Sequence, residues 1–207
     1  MVTQVDKLMT DEHPMIFQIV ALVILAVFYG TYFVKMLMQK RQGIQTDQMG
    51  KGKQGKDKII ELTLKAVTIA VPVAEVASIL INTAPLPFWL RWVGMGLAVA
   101  GTTLFFCTVL AMHDNWRVGV CHTDKTDLVT DGLFTISRNP AFLGFDLVYL
   151  GILLMFFNWV LLALSLFAAL MLHLQITQVE EKFLEETFGQ QYLDYKKRVN
   201  RYFGLVP

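Results

Sequence analysis

The stretch AFLGFDLVYLGILLMFFNWVLLALSLFAALMLHLQIT, residues 141–177, decides the fold. A bilayer core about 30 Å thick is crossed by about 20 apolar residues in a helix, and this stretch is long enough to cross twice. Asn158 interrupts it near the middle and predicts the tip of a helical hairpin, with spans at about 141–157 and 159–178. Such a hairpin leaves every backbone N–H and C=O bonded within its own helix, as hydrocarbon requires.

Working towards the N-terminus, apolar runs predict further spans at about 15–38, 59–82 and 88–112. NTAPLP, residues 82–87, reads as a tight turn, with Pro85 and Pro87 ending one helix and opening the next. Pro72 inside the second span predicts a kink. The expected fold is all-α, a single membrane domain over 1–207: a helical bundle of about five transmembrane helices with a C-terminal cytosolic amphipathic helix. The chain is 55% hydrophobic and 17% charged with a net charge of +1, which suits a membrane domain and gives no basis for a nucleic-acid partner. Asp6, Asp11 and Glu12 stand against Lys7 before the first run, and that run is too long for a signal core. It is therefore read as a span and not as a cleavable signal.

Charge sets the expected orientation. Lys40, Arg41, Lys51, Lys53, Lys56 and Lys58 lie in the 39–58 loop, Arg117, Lys125 and Arg138 in the 113–140 loop, and Lys182, Lys196, Lys197, Arg198 and Arg201 in the tail. The opposite side has little beyond Lys7 and Arg91. The positive-inside rule then puts the N-terminus outside and the C-terminus in the cytosol of a multi-pass integral membrane protein.

Several motifs have plain readings. GKGKQGKD at 50–57 has the glycines and lysine of a phosphate-binding loop at Gly50, Gly55 and Lys56. Asp57 stands where Ser or Thr is required and no strand precedes, so it reads as a basic loop at the lipid surface. Gly94 and Gly96 read as helix-packing positions. Cys107 and Cys121 lack the spacing of a disulfide or metal framework. His13, His113, His122 and His173 form no metal-ligand cluster. Glu75 and Asp146 are acids inside spans, either hydrogen-bonded between helices or facing a substrate.

The polar ends of the hairpin carry the chemistry. Arg138-Asn139-Pro140 opens the fourth span. Pro140 suits the first helical turn because the N–H it lacks would be unpaired there anyway. The remaining N–H groups at that helix start favour an anion. Glu180 and Glu181 lie just past the fifth span, where paired acids suit a cationic or multiply hydroxylated ligand. His173 shares a predicted helix face with Thr177 and Glu180. Residues 180–200 alternate acids and bases around Phe183, Leu184, Phe188, Tyr192, Tyr195 and Val199, which predicts a helix broken or bent at Gly189 that lies on the membrane surface or caps the domain.

With these residues in place, the chain resembles the isoprenylcysteine carboxyl methyltransferase and phospholipid methyltransferase superfamily of integral membrane enzymes. The resemblance covers roughly 114–204. It rests on Leu128-Val129-Thr130, Gly132-x-Phe134, Arg138-Asn139-Pro140-x-Phe142-x-Gly144, Glu180-Glu181, and Phe188-Gly189-x-x-Tyr192-x-x-Tyr195 with Arg198-Val199. It implies S-adenosyl-L-methionine as methyl donor, held in a cytosol-facing pocket. The implied cofactor contacts are Thr126, Asp127, Leu128, Val129, Phe134, Asn139, Pro140, Ala141, Phe142 and Glu180. Glu180 would meet either the ribose hydroxyls or the amino-acid portion. Arg138, His173 and Glu181 are implied near substrate or just behind the contacts. Asp146 is the candidate catalytic group, able to orient or deprotonate a nucleophile.

Two departures from the family pattern narrow the acceptor. Asn139 stands where the family usually has His, and it keeps a hydrogen bond but cannot titrate. Ile176 stands where prenylcysteine enzymes carry an arginine for the substrate carboxylate. The expected reaction is therefore in-line transfer of a methyl group to a lipophilic or membrane-associated acceptor, with a lipid amine or thiol favoured over a carboxylate. The alternative is an NADPH-dependent membrane reductase, because sterol and steroid reductases show a similar Asn-Pro turn, paired acids and FG-x-x-Y pattern.

Overall fold

The computed structural model describes residues 14–120 and 126–205. Asp6, Lys7, Asp11, Glu12, His13, Cys121, His122 and Lys125 lie outside the described residues. Seven α-helices are described: α1 Pro14–Arg41, α2 Gly55–Ile81, α3 Trp89–Ala111, α4 Pro140–Met155, α5 Trp159–Leu174, α6 Glu181–Phe188 and α7 Gln190–Arg198. A π-turn, Gln175–Glu180, joins α5 to α6 without a break.

Three of these helices, and the continuous Trp159–Phe188 unit, are long and apolar enough to cross a membrane. Their outer faces are apolar and exposed, as at Val23, Val27, Val73, Leu80, Phe106 and Leu166. Exposed apolar surface on this scale needs a lipid solvent. Trp89, Trp92 and Trp159 are exposed near one end of the bundle, where an aromatic belt meets the membrane interface.

The predicted fourth span is shorter than the others. At 1.5 Å per residue the 16-residue α4 is about 24 Å long, and the 27-residue α2 about 40 Å. The two are level at one end, where Thr83 Oγ1, just past α2, donates to Phe156 O, just past α4, at 3.0 Å. Asn158 fixes the hairpin tip there. It caps α5 by accepting from Leu161 N at 2.9 Å, and its Nδ2 donates to Ser78 Oγ at 2.6 Å. The start of α4, with its Arg-Asn-Pro turn, is thereby recessed below the start of α2.

Glycine sets the α3–α4 contact. A methyl group on Gly101 would lie 2.7 Å from Gly144 O, and one on Gly151 would lie 2.6 Å from Ala98 N and from Gly94 O. Backbones approach this closely only where side chains are absent, and in lipid such van der Waals packing replaces the hydrophobic drive. Gly94 is thus a packing residue, whereas Gly96 has nothing within 4 Å of an added methyl. Phe17, Phe28, Phe105, Val148, Ile152 and Phe156 fill the main core around this pair.

The basic 42–54 segment is folded onto the polar end of the bundle. Val118 N donates to Thr46 O at 3.0 Å and Gln48 N to Val118 O at 2.8 Å. Glu61, fully buried on α2, pairs with Lys53 and accepts from Gly50 N at 2.6 Å. Gly50 has φ of 72°, so its N–H is presented by a turn that favours glycine. Helix α2 also begins earlier than hydropathy predicts, because its first turn, Gly55–Lys58, is polar and extends past the apolar run.

Candidate functional site

The recessed α4 start opens a cavity of about 690 Å³ at the polar end of the bundle. Thr126, Asp127, Leu128, Val129, Phe134, Asn139, Pro140, Ala141, Phe142 and Glu180 all line it. They come from three separated stretches. The chain before α4 supplies Thr126 to Phe134, the first turn of α4 supplies Asn139 to Phe142, and the π-turn supplies Glu180. Asp127 is positioned by its N–H, which donates to Asn115 Oδ1 at 2.9 Å.

The C-terminal segment holds the Arg-Asn-Pro turn in place. Arg138 N donates to Asn200 O at 3.1 Å, and Gly204 N donates to Ile136 O at 2.8 Å. Asn139 Nδ2 donates to Arg201 O at 3.0 Å, so Oδ1 is its remaining acceptor. Tyr195 OH donates to Phe134 O at 2.6 Å, which ties α7 to the cavity wall. Burial pushes Tyr192 up to about 12 and Tyr195 further, so both remain neutral phenols.

The adjacent glutamates have separate surroundings. Glu181 is buried and accepts from Arg201 Nε at 2.8 Å and Arg201 Nη2 at 3.0 Å, and it pairs with Arg138 at 3.1 Å. Arg138 Nη1 also donates to Tyr192 OH at 2.8 Å. Arg138 and Glu181 therefore lock α4, α6 and α7 together. Arg138 lines the cavity and its Nε is buried without a partner, whereas Glu181 stands behind the wall. Glu180 is only half-buried, touches Gln175 Nε2 at 3.5 Å, and faces the cavity.

Two predicted residues lie elsewhere. His173 is exposed and shares a 2.6 Å hydrogen bond with Tyr202 OH, outside the cavity. The predicted common face with Glu180 assumes an unbroken α-helix. The π-turn adds a residue to its turn and rotates Glu180 away from His173. Asp146 is also outside the cavity. Phe142 and Phe145 line the cavity three residues apart, and Asp146 is one step further round α4, with one buried oxygen unpartnered. Ile176 is fully buried and does not line the cavity.

The N-terminal helices supply walls that the sequence did not signal. Tyr29, Tyr32, Phe33 and Met36 come from α1, and Leu64, Lys65, Thr68, Ile69 and Pro72 from α2. Lys65 pairs with Asp47 of the folded-back segment, and both line the cavity. Phe33 and Ile69 line the cavity while remaining 52% and 63% exposed, so the wall between α1 and α2 opens towards lipid. No motif marks these residues, because isolated aromatic and aliphatic side chains in a span look alike whether they face a cavity or a bilayer.

The described residues form a helical membrane bundle whose cavity of about 690 Å³ lies at the polar end and is also walled by side chains exposed on the outer surface between α1 and α2. Residues 89–191 match the family model of phospholipid methyltransferases. The chain is 30% identical to protein-S-isoprenylcysteine O-methyltransferase of Mus musculus over 54% of this chain and 40% of that protein. It is 27% identical to the Tribolium castaneum protein of the same name over 54% and 40%. To that of Saccharomyces cerevisiae it is 35% identical over 35% of this chain and 30% of the relative. Over about half its length the chain is thus similar to the isoprenylcysteine carboxyl methyltransferase and phospholipid methyltransferase superfamily. The match spans about 40% of the length of the first of these relatives.

Proposed function

We propose that this protein transfers a methyl group from S-adenosyl-L-methionine to a lipophilic acceptor dissolved in the membrane. The observation that carries this reading is the convergence of all ten implied contacts on one cavity that also opens between α1 and α2. The cavity volume of about 690 Å³ lies in the range of small-molecule sites, roughly 300–1,000 Å³.

The donor set suits the cofactor. Glu180 offers a carboxylate for hydroxyl or ammonium groups, and Asn139 Oδ1 offers a neutral acceptor. Leu128, Phe134 and Phe142 offer apolar surface for a base, and Arg138 Nε offers an unpaired donor. When bound, the sulfonium supplies an already activated methyl group. The protein's part is to orient the acceptor in line and exclude water. By the charge distribution, the polar end faces the cytosol, where the donor is dissolved, and the acceptor enters from lipid. Asp146 has no part in this reading, because it lies outside the cavity.

Calorimetry on the detergent-solubilised protein tests the reading. S-adenosylhomocysteine should bind and NADPH should not. Binding of NADPH in preference to S-adenosylhomocysteine would overturn it.

A further inference from the structure

A chain of polar contacts runs from the cavity to the folded-back 42–54 segment, and the cofactor contacts use only its near end. Gln175 opens the π-turn and is fully buried. Its Nε2 donates to Glu180 Oε1, on the cavity wall, at 3.5 Å and to Glu61 Oε1, on α2, at 3.3 Å. Glu61 in turn pairs with Lys53 and accepts from Gly50 N. Both charges of the Glu61–Lys53 pair act on Glu180.

Two unusual features serve this link. The amide of Gln175 fits in one orientation, because its N–H groups meet two carboxyl groups and the flipped amide would set its oxygen against both. That orientation leaves Gln175 Oε1 buried without a partner, a cost that an apolar side chain of the same length would avoid. The backbone departs as well. Residues five apart in an α-helix point about 140° apart, whereas the i→i+5 pattern of the π-turn stacks Glu180 over Gln175. The far end of the chain returns to the cavity, since Asp47 and Met49 of the 42–54 segment line it and Gly50 and Lys53 fasten that segment to Glu61. A ligand hydroxyl or ammonium that bonds Glu180 takes up part of its charge and relieves its repulsion of Glu61. The Gln175 amide and Lys53 are then left to Glu61, and the anchor of the segment tightens.

We propose that Gln175 is a positioning residue that couples cofactor binding at Glu180 to docking of the 42–54 segment, so that an occupied cofactor end fastens the wall carrying Asp47 and Met49. This rests on the proposed methyltransferase reading and adds a conformational partner to its site. The coupling is reciprocal: the factor by which the cofactor tightens the segment is the factor by which the docked segment tightens the cofactor.

The test is amide hydrogen exchange over residues 47–53 of the full chain in lipid nanodiscs, with and without saturating S-adenosylhomocysteine. In the wild-type protein the ligand should slow exchange there at least about fivefold. In Gln175→Met, which keeps the length and removes the unpaired oxygen, S-adenosylhomocysteine should still bind but slow exchange less than about twofold, with a melting temperature close to that of the wild type. A residue that only supports the fold would do the reverse, lowering the melting temperature and leaving the protection intact. Lys53→Met gives a second arm that does not depend on the folding of a Gln175 variant. It should weaken S-adenosylhomocysteine binding at least about fivefold alone, and less than about twofold when added to Gln175→Met. No protection in the wild-type protein, equal protection in Gln175→Met, or unchanged S-adenosylhomocysteine affinity in Lys53→Met overturns the inference while leaving the methyltransferase reading intact. Failure of the wild-type protein to bind S-adenosylhomocysteine removes that reading, and the inference with it.

Discussion

Adding one methyl group at Gly151 should separate α3 from α4 and degrade the cavity with them. In Gly151→Ala the new carbon would lie 2.6 Å from Ala98 N, 2.6 Å from Gly94 O and 2.8 Å from Ala98 Cβ. Two of these three obstacles are backbone atoms, so no rotamer change relieves them. Non-bonded carbon contacts settle at about 3.5–4.0 Å, which asks the helices to part by about 1 Å. Overpacking of this kind costs about 1–3 kcal/mol, and a backbone obstacle belongs at the upper end. The better helix propensity of Ala returns about 1 kcal/mol. The net loss is then about 2 kcal/mol, or a fall in Tm of about 4–8 °C for a chain of this size. Gly96→Ala is the control, because its added methyl meets nothing within 4 Å and only the propensity gain remains. Circular dichroism melts of both variants in the same detergent make the comparison. Because α4 carries Asn139 to Phe142 at its start, calorimetry should also show weaker S-adenosylhomocysteine binding in Gly151→Ala alone. If Gly151→Ala melts at or above Gly96→Ala, the close-packed account of α3 and α4 is wrong.

The neighbouring acids should separate by phenotype. Glu180→Gln should weaken S-adenosylhomocysteine binding roughly tenfold or more with little change in Tm, since it loses a charge-assisted contact in the cavity. Glu181→Gln should lower Tm by the cost of leaving Arg138 and Arg201 without their carboxylate, up to about 3–5 kcal/mol. Identical behaviour of the two would contradict their assigned surroundings. Lys53→Met should destabilise the 42–54 segment by leaving Glu61 buried without its ammonium, detectable as faster proteolysis there. Alkaline titration tests Tyr192. Burial raises it from 10.0 to about 12, so the folded chain holds this proton more tightly than the unfolded one. The stability it contributes is complete below about pH 10 and is lost as pH rises through about 12, so Tyr192→Phe should unfold over that interval with a shallower pH dependence.

The sequence by itself determined the all-α membrane class, the hairpin tip at Asn158 and the break at Gly189. Hydropathy runs and chain punctuation are local properties, and hydrocarbon admits few other backbones. It also marked the residues of one cavity wall, because Arg138-Asn139-Pro140, Glu180-Glu181 and the FG-x-x-Y stretch combine unusual polar types with a fixed order. Tertiary structure decided what those residues face. The π-turn at 175–180 turns Glu180 into the cavity and leaves His173 with Tyr202, and no periodicity of 3.6 residues anticipates an inserted residue. Asp146 and Phe142 differ by one helical turn in sequence yet only Phe142 reaches the cavity, because the neighbouring helices and not the turn decide which part of a face is covered. The remaining walls, from Tyr29 to Pro72, depend on how α1 packs on α3 and α2 on α5. That arrangement is fixed by contacts between residues far apart in the chain, and those contacts leave no local signature.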